Sequence, residues 1–144
     1  NDTGVFLLEI AARPIGGLCA DSLRFTEGVA LEALILRHAL GENISHIKRE
    51  DRASGVMMIP IPGSGIYNGV EGLAEAAAVP NIEALEITAK QGQRLLRLPE
   101  GASYLGFIFA RAAASEDVER ALREAHQQLR FDIAVELPVL RPSA

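Results

Sequence analysis

Cysteine occurs once in this sequence, at Cys19, and tryptophan is absent. A single cysteine excludes an internal disulfide framework and suits a reducing compartment, so a cytoplasmic setting is expected. Lysine is almost as scarce: of the 14 cationic residues only Lys48 and Lys90 are lysines. That scarcity counts against a complete nucleotide site within this chain, and the sequence has no G-x-x-x-x-G-K-[ST] loop. The formal net charge is −5 and no basic run exceeds a few residues, which argues against a nucleic-acid partner. No apolar run reaches the ~18 residues needed to cross a bilayer, and the first residues do not resemble a signal peptide. Neither membrane nor nucleic acid is therefore expected among the partners.

What is present is apolar bulk. With 144 residues and 49% apolar content the chain can bury one real core and perhaps a small appendage. The most informative stretch is Phe6-Leu7-Leu8-Glu9-Ile10-Ala11-Ala12-Arg13-Pro14-Ile15-Gly16-Gly17. An apolar run that fits a buried strand carries one carboxylate, Glu9, and reaches Arg13 and a Pro/Gly turn within a few residues. A buried carboxylate needs a counter-charge, so Glu9 should face either Arg13 or a metal ion. Pro14 and the Gly16-Gly17 pair end the strand and let backbone approach a ligand closely. The plain alternative is that ordinary domains also leave a sheet through a charged residue and a Gly-Gly turn. A strand at 5–10 with no near pairing partner predicts a chain that is part of something longer.

Helical spacing predicts a helix over 28–40, with Thr26 as N-cap, Gly41 as C-cap signal and an apolar stripe wide enough to be covered on more than one side. The charge-rich, aperiodic 46–55 reads as a linker. Beyond it, 56–62 is a short edge strand, because Pro60 and Pro62 cannot donate to a ladder. Gly63, Gly65 and Gly69 suggest a loop, followed by a helix over 70–78 and a strand over 82–88. A short strand at 94–98 follows, and then Tyr104–Ala112, apolar on both faces and so central. Ser115 is placed to cap a helix whose stripe is Val118, Ala121, Leu122, Ala125 and Leu129. A final strand over 131–137 alternates with Phe131, Ile133, Val135 and Leu137 inward, and 138–144 reads as a tail. The fold class is α+β: a ferredoxin-like βαββαβ antiparallel sheet over 56–137 with helices on one face, preceded at 1–45 by a strand, a loop and a helix.

The opening residues 8–17 and the segment Leu31–Gly41 resemble the end of the ATP-grasp domain in carboxylate-amine ligases. Residues 56–135, notably Tyr104-Leu105-Gly106-Phe107-Ile108-Phe109-Ala110-Arg111, are similar to the C-terminal domain of L-amino acid ligase and glycinamide ribonucleotide synthetase-like proteins. The resemblance implies a parent enzyme that uses ATP and Mg2+ to convert a carboxylate to an acyl phosphate, which an amine then attacks. It implies Glu9 as a magnesium ligand, Arg13 as a catalytic clamp on phosphate or carboxylate, and Gly16 with Gly17 as a substrate-side loop. The family's Asn between its Glu and Arg is Ala11 here, so one oxygen ligand is missing from this strand. It also implies the upstream ATP-grasp domain as partner, small-molecule carboxylate and amine substrates, and no tightly bound cofactor on this stretch alone.

Two other readings stand beside it. One is a ferredoxin-like regulatory module binding a small effector such as an amino acid, supported by the element order and the glycines at 63–69. The other is a structural piece that dimerises through the strand at 5–10.

Overall fold

Of the chain's residues, the computed structural model describes 3–10 and 13–135. They fall into two units, 1–50 and 51–144. After two 3-10 turns the element order is α1 (Leu31–Ala39), β1 (Ala53–Ile59), β2 (Gly65–Glu71), α2 (Leu73–Ala77) and β3 (Ile82–Ile87), then β4 (Arg94–Leu95), β5 (Gly106–Ala112), α3 (Ser115–Gln128) and β6 (Arg130–Ala134).

The second unit is organised on β5, whose residues are all buried. A strand that is buried on both faces has no side to offer water, so it takes the middle of a sheet. β5 does so, pairing antiparallel with β1 and with β3 in the order β1-β5-β3. Ile108, Ala110 and Ala112 enter one core with Val118, Ala121, Leu122 and Ala125 of α3 and with Ala76 of α2. Alternation along the strand turns Phe107, Phe109 and Arg111 to the opposite face. Gly55 sets how close α3 comes to β1: a Cβ there would lie 2.8 Å from Val118 Cγ1 and 3.3 Å from Leu122 Cδ1. Ile59, Leu95, Leu105 and Ile108 are fully buried, and burying each contributes about 1.5–3 kcal/mol relative to leaving it in water.

The expected order of strands and helices is present, in antiparallel sheets, with differences of detail. Of the residues read as a glycine loop over 63–69, those from Gly65 onward belong to β2, the middle strand of a second sheet ordered β4-β2-β6. Glycine serves close approach there rather than a turn: a Cβ on Gly65 would sit 2.2 Å from the Ala134 carbonyl oxygen. Because β2 occupies residues up to Glu71, α2 is shorter than the helix expected over 70–78. The second sheet shares the core of the first through Tyr67 and Leu95, together with Ile61 and Leu129 from the adjoining connections. The strand expected at 94–98 is confined to Arg94–Leu95. Ser115 is the first residue of α3 and not its cap; the N-cap is Ala114 and makes no side-chain cap bond. Val135, expected inward, is exposed, since the β6 ladder ends at Ala134. Leu137 and the tail beyond it lie outside the described residues.

The first unit differs more from expectation. Residues 5–10 form no strand, and Val5, Phe6, Leu7, Leu8 and Ile10 are exposed. A strand requires a ladder for its backbone groups, and none pairs with 5–10 among the described residues. α1 begins at Leu31, its N-cap is Ala30, and none of its residues is buried. Thr26 is not its cap: the Thr26 hydroxyl accepts from the Lys48 backbone N–H at 3.0 Å. Thr26 N–H donates to the Lys48 carbonyl at 2.8 Å and Glu50 N–H to the Arg24 carbonyl at 3.0 Å, which clasps 24–26 to 48–50. Ala20 and Ile47 are the buried apolar residues of this unit among those described. No helix among the described residues is long and apolar enough to cross a membrane.

Candidate functional site

Glu9, Arg13, Gly16 and Gly17 all lie in the first unit. Arg13 is exposed, and its Nη1 donates to the neighbouring Pro14 carbonyl at 3.2 Å. The same Nη1 stands 3.8 Å from where a Cβ on Gly16 would be, so the guanidinium folds over a backbone that carries no side chain. Gly17 adopts φ +66, a left-handed conformation that glycine takes without steric penalty and that turns the chain into the 3-10 turn Cys19–Ser22. Arg13 and Gly16 are thus brought together. Glu9 is exposed and forms no ion pair with Arg13 among the described residues. Ala11 lies outside them.

Such a loop can present a planar, permanently charged fork to a phosphate or carboxylate, with bare backbone beside it. As a metal site it is incomplete. Magnesium takes six oxygens in near-octahedral geometry. No group of three or more His, Cys, Asp or Glu placed to hold a metal occurs among the described residues, so Glu9 stands as a single donor. A cleft of about 310 Å³ lies further along the same unit, lined by Asp21, Arg24, Gly28, Leu31 and Glu32 among others. The larger depression along α3 is walled only by that helix's charged and amide side chains, with Glu119 and Arg123 paired across one turn.

One polar constellation escaped the sequence reading. Arg111 is 4% exposed and is the buried charged residue of the described chain. Its Nε lies 3.2 and 3.3 Å from the two carboxylate oxygens of Glu83. The pairing depends on a bulge in β3. From Ile87 back to Ala84 the strand is in register with β5, but Ile82 then pairs with Ala110, leaving Glu83 extra. Unbroken alternation from Leu85 and Ile87 would have aimed Glu83 at the core; the inserted residue returns Ile82 to the core side and frees Glu83 to meet Arg111. The signal was in the sequence: an arginine inside a strand read as buried must have an acidic partner.

Comparison with known proteins adds the following. The family model described as L-amino acid ligase C-terminal domain 2 matches residues 57–134. The crystal structure of L-amino acid ligase from Bacillus licheniformis superposes with TM-score 0.62 and 26% identity, over 75% of this chain and 27% of that one. Phosphoribosylglycinamide synthetase from Anaerococcus prevotii shares the fold with TM-score 0.57 and 16% identity, over 71% of this chain and 27% of that one. A curated protein from Sinorhizobium fredii (strain NBRC 101917 / NGR234), the uncharacterized y4rH, is 19% identical over 134 residues, 93% of this chain. This chain spans 28% of that relative's length.

Proposed function

Because the chain belongs to the L-amino acid ligase C-terminal domain 2 family, we propose that it is the C-terminal portion of an ATP-dependent carboxylate-amine ligase of the ATP-grasp type. The observation that carries this reading is the family match across 57–134, seconded by likeness to a ligase crystal structure at 26% identity. In the proposed reaction the terminal phosphoryl group of ATP passes to a carboxylate oxygen, giving an acyl phosphate and ADP. The amine then attacks the acyl carbon, forming an amide and releasing inorganic phosphate. ATP and magnesium belong to the longer protein, where the ion would offset phosphate charge.

The residues of this chain have limited parts. Arg13 would clamp a phosphate or carboxylate, neutralising charge as it gathers on the transferring oxygens. Gly16 and Gly17 would let substrate lie against backbone. Glu9 would add one oxygen to a metal site whose remaining donors come from the ATP-grasp portion. The second unit supplies support rather than reacting groups. The rival reading, an amino-acid-binding regulatory module, loses most of one of its two supports, since from Gly65 onward that glycine stretch is a sheet strand.

Phosphate release in saturating magnesium ATP tests the proposal. The protein carrying an ATP-grasp portion ahead of this chain should release phosphate only with both a carboxylate and an amine, and Arg13→Ala should lower that rate by at least about a hundredfold. The 144-residue chain should show no turnover. Turnover by the chain alone, or saturable amino-acid binding to it in calorimetry without ATP, would overturn the assignment.

A further inference from the structure

Asparagine occurs at positions 1, 43, 68 and 81, and Asn68 is the one that precedes a glycine. Asparagine is thermolabile because its side chain is an electrophile toward its own backbone: the next amide nitrogen can attack Cγ and close a five-membered ring. A side chain on that next residue crowds the attack, and glycine has none. A regular β-ladder suppresses the reaction by holding the backbone extended and its N–H groups bonded, so the dipeptide alone decides nothing. Around Asn68 the ladder is broken. On one side of β2, pairing with β4 covers Gly65 and Ile66, and bonds from Tyr67 to Gly92 and Gln93 extend it by one residue. Beyond Tyr67 no strand pairs with that edge among the described residues. On the other side Tyr67 pairs with Ile133 and Gly69 with Asp132, so Asn68 is the extra residue of a bulge, left without a ladder partner. Asn68 is exposed, and its side-chain amide makes no hydrogen bond among the described residues. A depression of about 410 Å³ beside Gly69, walled by Glu71, Arg130 and Asp132, gives water access. The other described asparagines are held. Asn43 Oδ1 accepts from the Ser45 N–H at 3.0 Å and from its hydroxyl at 2.8 Å, and the Asn81 carbonyl accepts from the Arg111 N–H at 2.9 Å. Each precedes a β-branched isoleucine, Ile44 or Ile82.

We propose that Asn68 is a site of spontaneous covalent modification in the folded chain, deamidating through a succinimide to isoaspartate and aspartate. The Gly69 backbone nitrogen gives its proton to hydroxide and attacks Asn68 Cγ; the Cγ–Nδ2 bond breaks and ammonia leaves. Water then opens the ring at either carbonyl, attack at the main-chain carbonyl giving isoaspartate and at the side-chain carbonyl aspartate. The reaction needs no nucleotide, metal or oxidant, and it stands whether or not the ligase reading does. Its product carries one more negative charge, beside the residue that pairs with Asp132. The isoaspartyl form also adds one main-chain atom to β2 next to buried Tyr67. The second unit thus carries a chemical clock that runs while the protein is folded.

Peptide mass spectrometry of the 144-residue chain, aged at mildly alkaline pH, is the test, with the same chain unfolded in guanidinium chloride as reference. The peptide containing Asn68 should gain about one dalton as an amide becomes an acid, at a rate within about tenfold of the unfolded reference. Peptides containing Asn43 and Asn81 should lag it by at least about tenfold. Gly69→Ala is the control. A Cβ there meets nothing within 4 Å and Gly69 is not among the left-handed glycines, so the fold is kept while conversion slows by at least about tenfold. An isoaspartate-directed carboxyl methyltransferase should label the aged native chain and leave the aged variant unlabelled. A folded rate more than about tenfold below the reference would mean that the ladder closes over Asn68, and it overturns the proposal. Equal conversion in Gly69→Ala, or at Asn43 and Asn81, overturns it as well.

Discussion

In the second unit an arginine is buried against a carboxylate that reaches the surface and four large aliphatic side chains are fully enclosed, whereas in the first unit Val5 to Leu8 and the outer face of α1 meet water. The two units are built from equally apolar stretches, so hydrophobicity does not separate them. What separates them is whether a pairing surface is present among the described residues. β5 finds β1 and β3 on its two sides and α3 against one face. The 5–10 segment finds nothing comparable among the described residues. An apolar segment becomes a core strand only when a ladder and a cover exist, and composition alone reports neither.

The sharpest way to break this contrast is a matched pair of truncations. Ile108→Ala, in the fully enclosed strand, should lower unfolding free energy by about 3–4 kcal/mol, and Leu36→Ala on α1 by less than about 0.5 kcal/mol. Urea titrations followed by circular dichroism would read both, and equal losses would mean that the first unit is packed after all. Next in size, Glu83→Gln should cost about 2–3 kcal/mol, because it strips the counter-charge from an arginine that cannot reach water. Arg111→Met added to it should recover part of that loss, since the uncompensated charge is then gone. Smaller still, Gly55→Ala should cost about 1–2 kcal/mol by pushing a methyl into Val118 and levering α3 off β1, read as a lower thermal midpoint.

The mildest effect is one of pH. Burial raises the Tyr67 phenol above its ordinary value of 10.0. The folded unit therefore keeps this proton where the unfolded chain releases it. The contribution is intact below pH 10 and is lost as pH climbs through the raised folded value. Tyr67→Phe should flatten that alkaline decline in a series of denaturation midpoints, and an unaltered decline would assign it to other groups.

Much of the second unit was legible in its sequence. The continuous apolar run at 104–112 gave the central strand, and the spacing of Val118, Ala121, Leu122 and Ala125 gave the packed face of α3. The β2 strand was hidden because Gly65 and Gly69, with Gly63 just before it, read as turn residues. Their purpose at Gly65 is contact with a strand nearly seventy positions away, which local pattern cannot express. α1 was legible as a helix but not as an exposed one, since periodicity reports a face without reporting what covers it. For the Glu9–Gly17 loop, local chemistry marked Arg13 and Gly16 as neighbours. It also suggested a charge pair between Glu9 and Arg13 that the described residues do not form.

The extra residue at Glu83 has a further effect on how the sheet holds its alignment. Antiparallel ribbons with uniform sequence can creep along each other in two-residue steps that preserve which side chains face inward. Here such a step would carry the acid away from the guanidinium it neutralises and set the kink against regular backbone. The anomaly therefore works as a latch on strand alignment, and excising that one position should let the edge strand wander between pairings rather than simply tidy it.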